Sequence, residues 1–191
     1  MRCAAFVFAL FVWPVTARAA EPVDAATVCR VQNALRWSLP AWKLERCQEV
    51  AAALSVLPEP LTMLAVAANE SGMRADAIRK GGLGVWDVGL LGIRCHVVGG
   101  KCSNGPARGY TIAQLMDPVI NIRVAHVLAT IKGPRWLHRW NGDPGYAARI
   151  AVLAAAIRGE RFEITGTGAK WRRIEGMVQR IFVIGTNERK S

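Results

Sequence analysis

Negative charge is scarce in this sequence: Asp and Glu total 14 against 25 Lys and Arg, a formal net charge of +11. A chain so short of acids is drawn to polyanions, whether nucleic acid, anionic lipid or an acidic polysaccharide, and composition alone does not choose among them. Zinc-finger spacing and aromatic-basic RNA motifs are both missing, which argues against nucleic acid as the partner. Histidine is rare too. His96, His126 and His138 form no His-Glu-x-x-His or similar pair, so no histidine metal centre is expected. Repeats and low-complexity tracts are absent, and no segment beyond residue 20 approaches the ~20 apolar residues of a bilayer span. What the chain has in quantity is apolar side chains, 52% against 20% charged in 191 residues. That suits one domain, or a domain with a small appendage, built on a sizeable core.

The first twenty residues read as an export signal. Arg2 supplies a positive start, residues 3–15 are apolar apart from Pro14, and Ala17-Arg18-Ala19 offers small residues at the positions an export peptidase reads. Cleavage is expected near Ala19 or Ala20, and an uncleaved anchor is the alternative. Loss of Arg2 and Arg18 leaves the chain strongly basic. The periplasm is the expected location.

Cysteine usage agrees with export. Cys3 leaves with the signal, and Cys29, Cys47, Cys95 and Cys102 remain, enough for two disulfides with three pairings. Cys29–Cys47 and Cys95–Cys102 are favoured because each closes a short local segment. A metal site on Cys95, His96 and Cys102 is the rival, although its spacing matches no standard zinc pattern.

Helical spacing dominates the rest. Residues 25–37, 42–57, 61–69, 118–131 and 146–157 read as helices, with a short helical piece at 135–140. Pro58, Pro60, Gly133 and Pro134 punctuate them. Residues 71–108 carry little helical signal and many glycines. Residues 159–168 read as a linker with strand character at 162–164. Residues 169–184 read as a basic amphipathic helix that docks by Ile174, Met177 and Ile181, or else contacts wall or membrane.

Glu70 stands out because it closes a helix that is otherwise nearly all apolar. A carboxyl there is partly desolvated, which disfavours its charge and suits a general acid. The plain alternative places it at the solvent edge or beside Arg74. A carboxylate at a helix C-terminus gains nothing from the helix dipole, so a purely structural origin has no evident benefit.

Five motifs in order then carry a resemblance. Ala67-Ala68-Asn69-Glu70-Ser71-Gly72 resembles the Glu-Ser signature of soluble lytic transglycosylases and goose-type lysozymes. Asp87-Val88-Gly89-Leu90-Leu91-Gly92-Ile93 resembles their Gly-Leu-Met-Gln-Ile segment, and Asp117-Pro118-Val119-Ile120-Asn121-Ile122 their Asp-Pro-x-x-Asn-Ile helix start. Arg139-Trp140-Asn141-Gly142 resembles an Ala-Tyr-Asn-x-Gly turn, and Tyr146-Ala147 the pair that opens the next helix. The likeness spans about half the chain, residues 61–157. It departs from the pattern at Gly92, where the family has Gln, at Leu91 in place of Met, at Val88 in place of Ser and at Trp140 in place of Tyr.

The resemblance implies cleavage of the β-1,4 bond between N-acetylmuramic acid and N-acetylglucosamine, with Glu70 as single acid and then base. The product is a 1,6-anhydro sugar, and the substrate's own N-acetyl group does the work of a second carboxylate. Asp76 and Asp87, nearest in sequence, read as loop residues. Ser71, Gly89, Leu90, Leu91, Trp140, Asn141 and Tyr146 are the expected substrate-site residues. Ser71 could instead cap its helix, Gly89–Gly92 could be a tight turn, and Asn141 could bond its own turn. Trp86, Trp136 and Trp140 are candidates for stacking on sugars, with core packing the commoner use of a tryptophan.

The expected architecture is a mainly α, lysozyme-like catalytic lobe with little or no β structure, stapled by disulfides. Residues 1–20 form the signal, 21–58 an N-terminal helical extension, 59–160 the catalytic core, and 161–191 a linker and basic helix. Peptidoglycan strands are the expected partner of a monomer with no cofactor, no metal and no nucleic acid. A hydrolase that uses water, a non-catalytic wall-binding module beside envelope or secretion machinery, and a membrane-active basic protein are the rival readings.

Overall fold

The computed structural model describes residues 22–35, 40–143 and 145–159, together with the backbone of residues 170–174 and 177–181. The signal, residues 160–168 of the expected linker and its strand character lie outside the described residues. In chain order the elements are α1 (Ala25–Leu35), α2 (Leu44–Ser55), α3 (Pro60–Ser71), β1 (Ile78–Lys80), β2 (Val85–Val88), β3 (Ile93–Val98) and β4 (Lys101–Cys102). They continue with α4 (Ile112–Leu115), α5 (Pro118–Lys132), α6 (Tyr146–Arg158), β5 (Lys170–Ile174) and β6 (Met177–Ile181).

The core forms around α3. From Pro60 to Ala68 every residue but Thr62 is buried. No charge falls between Glu59 and Glu70, so the helix can be covered on all sides. Pro60 supplies the first helical position, and Gly72 ends the helix in the left-handed region at φ 63°. Helix α5 starts because Asp117 accepts hydrogen bonds from the N–H groups of Val119 (2.9 Å) and Ile120 (3.0 Å). Helix α6 packs along α3, and α2 lies against α5.

Both expected disulfides are present. Cys29–Cys47 ties α1 to α2, with Cα atoms 5.5 Å apart, and Cys95–Cys102 joins β3 to β4 at 5.2 Å. With Cys95 and Cys102 bonded to each other, the rival metal site has lost both its thiolates.

The fold is α+β, which corrects the expectation of a helical lobe with little or no β structure. Strands β1 to β4 form an antiparallel sheet in the order β1-β2-β3-β4. Its register sets Val88 opposite Ile93, Asp87 opposite Arg94 and Val85 opposite His96. The glycines between residues 81 and 105 are turn residues, and Gly84, Gly89, Gly92, Gly99 and Gly100 all have positive φ. Strands this short carry too little periodicity to stand out from the turns that join them. Strand β3 is the exception, with Ile93 and Cys95 buried and Arg94, His96 and Val98 exposed.

A second correction concerns the C-terminus. Where a basic amphipathic helix was expected over 169–184, β5 and β6 pair as antiparallel strands, with Ile174 opposite Met177. Glycine at 176 disfavours a helix interior by about 1 kcal/mol, and the β-branched residues that follow favour strands. Strand β6 lies against α1 and β5 against α6, so this hairpin docks on the domain.

Candidate active site

Glu70 is the penultimate residue of α3 and is half-buried. Tyr146 is the first residue of α6 and fully buried. Packing of α3 along α6 brings the two together, and the Tyr146 hydroxyl donates to Glu70 Oε1 at 2.6 Å. Burial first, and then the bond to Glu70, push the Tyr146 phenol far above its ordinary range; Arg149 and the Asn69 side chain pull weakly the other way. The phenol therefore keeps its proton and donates it to Oε1.

The second carboxylate oxygen faces a glycine turn. A Cβ at Gly92 would lie 3.5 Å from Glu70 Oε2, so the bare backbone of this residue borders the acid. Residues 89–92 close the β2–β3 hairpin, with the Gly92 N–H donating to the Gly89 carbonyl at 3.1 Å. Asn121, fully buried on α5, clamps that turn. Its Oδ1 accepts from the Leu91 N–H at 2.8 Å, while its Nδ2 donates to the carbonyls of Val88 (3.0 Å) and Leu115 (2.7 Å). Gly89, at φ 77°, must be glycine: a Cβ would collide with the Asn121 side chain and the Leu115 carbonyl.

The other sequence-predicted residues are placed differently. Leu90 and Leu91 are buried in the core, which leaves only their backbone for any ligand. The Ser71 hydroxyl donates to the Ala67 carbonyl and accepts from the Arg74 N–H, both at 3.1 Å, so it serves the helix end. Trp140 is half-buried with its ring edge-on to Trp136 at 5.5 Å. Asn141 is exposed. Among the described residues no hydrogen bond or ring contact joins Trp140 or Asn141 to Glu70. Trp86 lies in β2 rather than a loop, half-buried, with Lys80 Nζ 5.3 Å from its ring centre. A cleft of about 370 Å³ is lined by Trp42, Arg46 and neighbours at the start of α2 and includes none of these residues.

Every described aspartate is engaged elsewhere. Asp24 bonds the Thr27 N–H, Asp76 pairs with Arg74, and Asp117 caps α5 and meets Arg46. Asp87 pairs with Arg94 across β2 and β3 at 2.9 Å, which corrects its placement in a loop. Asp143 bonds the Gly145 N–H at 2.8 Å and Arg149 at 2.7 Å. Glu59 stands at the opposite end of α3, roughly 16 Å along the axis from Glu70. Among the described residues no group of three or more His, Cys, Asp and Glu is placed to hold a metal.

Two features escaped the sequence reading. One is the role of Asn121, quoted only as part of the Asp117–Ile122 motif; its signal is a polar side chain on the apolar side of α5, beside Ile122 and Ala125. The other is Arg149, whose guanidinium lies 5.7 Å from the Tyr146 ring centre while Asp143 holds it. The Asp143-x-Gly145 turn and the three-residue step from Tyr146 to Arg149 were the available signs. The chain matches no family model, no curated protein and no solved structure.

Proposed function

We propose that this protein is an exported lytic transglycosylase that cleaves peptidoglycan between N-acetylmuramic acid and N-acetylglucosamine. The observation that carries the proposal is the 2.6 Å hydrogen bond from the buried Tyr146 hydroxyl to Glu70 Oε1, formed between two residues of the five ordered motifs. Because the Tyr146 proton is donated to Oε1, that oxygen is held as an acceptor, and Oε2, the oxygen beside Gly92, is the one left to carry the acidic proton. From there it passes to the glycosidic oxygen as the bond to muramic acid C1 breaks. The substrate's N-acetyl oxygen stabilises C1 in place of a second carboxylate, consistent with aspartates already committed to other partners. The Glu70 carboxylate then takes the proton of the C6 hydroxyl, whose oxygen closes on C1. Atoms balance without water, and Glu70 ends protonated for the next cycle.

The net positive charge favours a wall whose stem peptides carry carboxylates. Two disulfides and the signal-like start support an oxidising compartment. A wall-binding module without catalysis is the second reading, favoured by one observation: Gly92 has no side chain to reach a sugar. Release of soluble fragments from purified sacculi separates the two. Wild-type chain should release them and E70Q should bind the same sacculi without release; binding without release by both proteins selects the module.

A further inference from the structure

We propose that the end of the sheet farthest from Glu70, where the β1–β2 and β3–β4 turns lie side by side, is a contact surface for an anionic lipid bilayer. Leu83, at the tip of the first turn, is fully exposed and holds a left-handed backbone at φ 54°. Leucine is poorly suited to either condition, and both cost stability. No packing among the described residues explains it, which points to a partner outside them.

The register supplies the rest of the surface. Val85 pairs with His96, and the Val97 N–H donates to the Gly84 carbonyl at 3.0 Å. Leu83 immediately precedes Gly84 and Val98 immediately follows Val97, so the two lie at the same end of the sheet; Val98 is 69% exposed and pairs with Lys101. Two apolar tips and a lysine thus gather at the end of the sheet. Around them Gly82, Gly99 and Gly100 have open space where a side chain would project, so the tips stand clear.

The charge of the sheet selects the partner. Arg79, Lys80, Arg94 and Lys101 are exposed, and the only acid from residue 78 to 102, Asp87, is bonded twice to Arg94. A protein partner would call for a shaped apolar patch. Isolated apolar tips on a sheet with an excess of exposed cations suit a surface into which they sink a few ångströms while the cations meet phosphates. This surface is independent of the glycan chemistry proposed for Glu70.

Co-sedimentation of the full chain with phosphatidylcholine vesicles, with and without phosphatidylglycerol, tests the proposal. Wild type should pellet with the phosphatidylglycerol vesicles, and the L83G/V98S variant should bind them at least about tenfold more weakly, the loss expected for withdrawing an aliphatic side chain from lipid. K101E should weaken binding further at low salt than at high salt. The apolar start of the chain is common to all of these proteins, so the difference between them reports the tips. L83G alone relieves the left-handed strain, so its thermal midpoint should equal or exceed that of wild type while its binding falls. Equal pelleting of wild type and L83G/V98S, or binding indifferent to phosphatidylglycerol, overturns the proposal. Either result leaves fragment release from sacculi by the same variants unchanged, so the Glu70 reading stands or fails separately.

Discussion

The two ends of the β-sheet use the same material for opposite purposes. At the Glu70 end, buried Asn121 accepts from the Leu91 N–H of the Gly89–Gly92 turn and donates to the Val88 carbonyl before it and to the Leu115 carbonyl of α4, and Gly89 is too crowded for any side chain. At the other end, Gly99 and Gly100 adopt similar positive φ with nothing around them, and Leu83 and Val98 face solvent. Glycine sets the turn in both cases. Only at the Glu70 end does the rest of the protein fix that turn in place, and there it stands against a carboxylate. Rigidity around an acid is what precise proton transfer requires, whereas a surface tip has no such need.

Alanine substitution measures this contrast directly. Gly89→Ala should lower unfolding free energy by roughly 2–5 kcal/mol, combining left-handed strain with overpacking against Asn121 and Leu115. Gly99→Ala meets only the strain and should cost about 1–2 kcal/mol. Denaturant titration of both proteins gives the two values, and equal losses would erase the distinction between the turns. Asn121→Ala comes next. It strands the Leu91 N–H and two carbonyls, and about 3 kcal/mol should be lost, with amide exchange at Leu91 accelerating before the rest of β3.

Tyr146→Phe keeps the ring in the core and removes only the donor to Glu70. Sacculus cleavage should slow by about 10- to 100-fold while stability shifts by about 1 kcal/mol. A rate unchanged by this substitution would make the 2.6 Å bond structural rather than catalytic.

The smallest expected effect is a dependence on pH. The Asp143 carboxyl lies below its usual value of 3.8, held there by the Gly145 N–H and then by Arg149. A depressed folded-state value means its stabilising contribution is complete above 3.8 and disappears as pH falls through the lower folded value. The thermal midpoint of Asp143→Asn should therefore fall less steeply than that of wild type as pH drops from 3.8 through the lower folded value.

How far the sequence could be read depended on periodicity and chain distance. Helices α2, α3, α5 and α6 were legible because apolar residues recur at helical spacing between Pro58, Pro60, Asp117-Pro118 and Gly133. Both disulfides followed from short separations. The sheet was obscured because its strands are two to six residues long and its glycines resemble loop. The alternation of Ile93, Arg94, Cys95 and His96 was nevertheless present, and it was the legible trace of β3. In the last segment Ile174, Met177 and Ile181 fit a helical stripe, and this spacing outweighed the glycine and β-branched residues that favour strands. At the site, Glu70 and Tyr146 were identified from motifs, but their contact joins residues 76 apart and depends on how α3 meets α6. Asn121 likewise reaches 30 and 33 residues back to Leu91 and Val88. Its role emerges only when α5 and the β2–β3 hairpin are side by side.

The central claim is that one carboxyl, Glu70, both donates and accepts the proton without help from water. Mass spectrometry of the sugar ends released from purified sacculi tests it most directly. Wild type should yield muramic acid ends lighter by one water than reducing ends, and E70Q should yield none. Reducing ends from wild type, or anhydro ends that persist with E70Q, would contradict it.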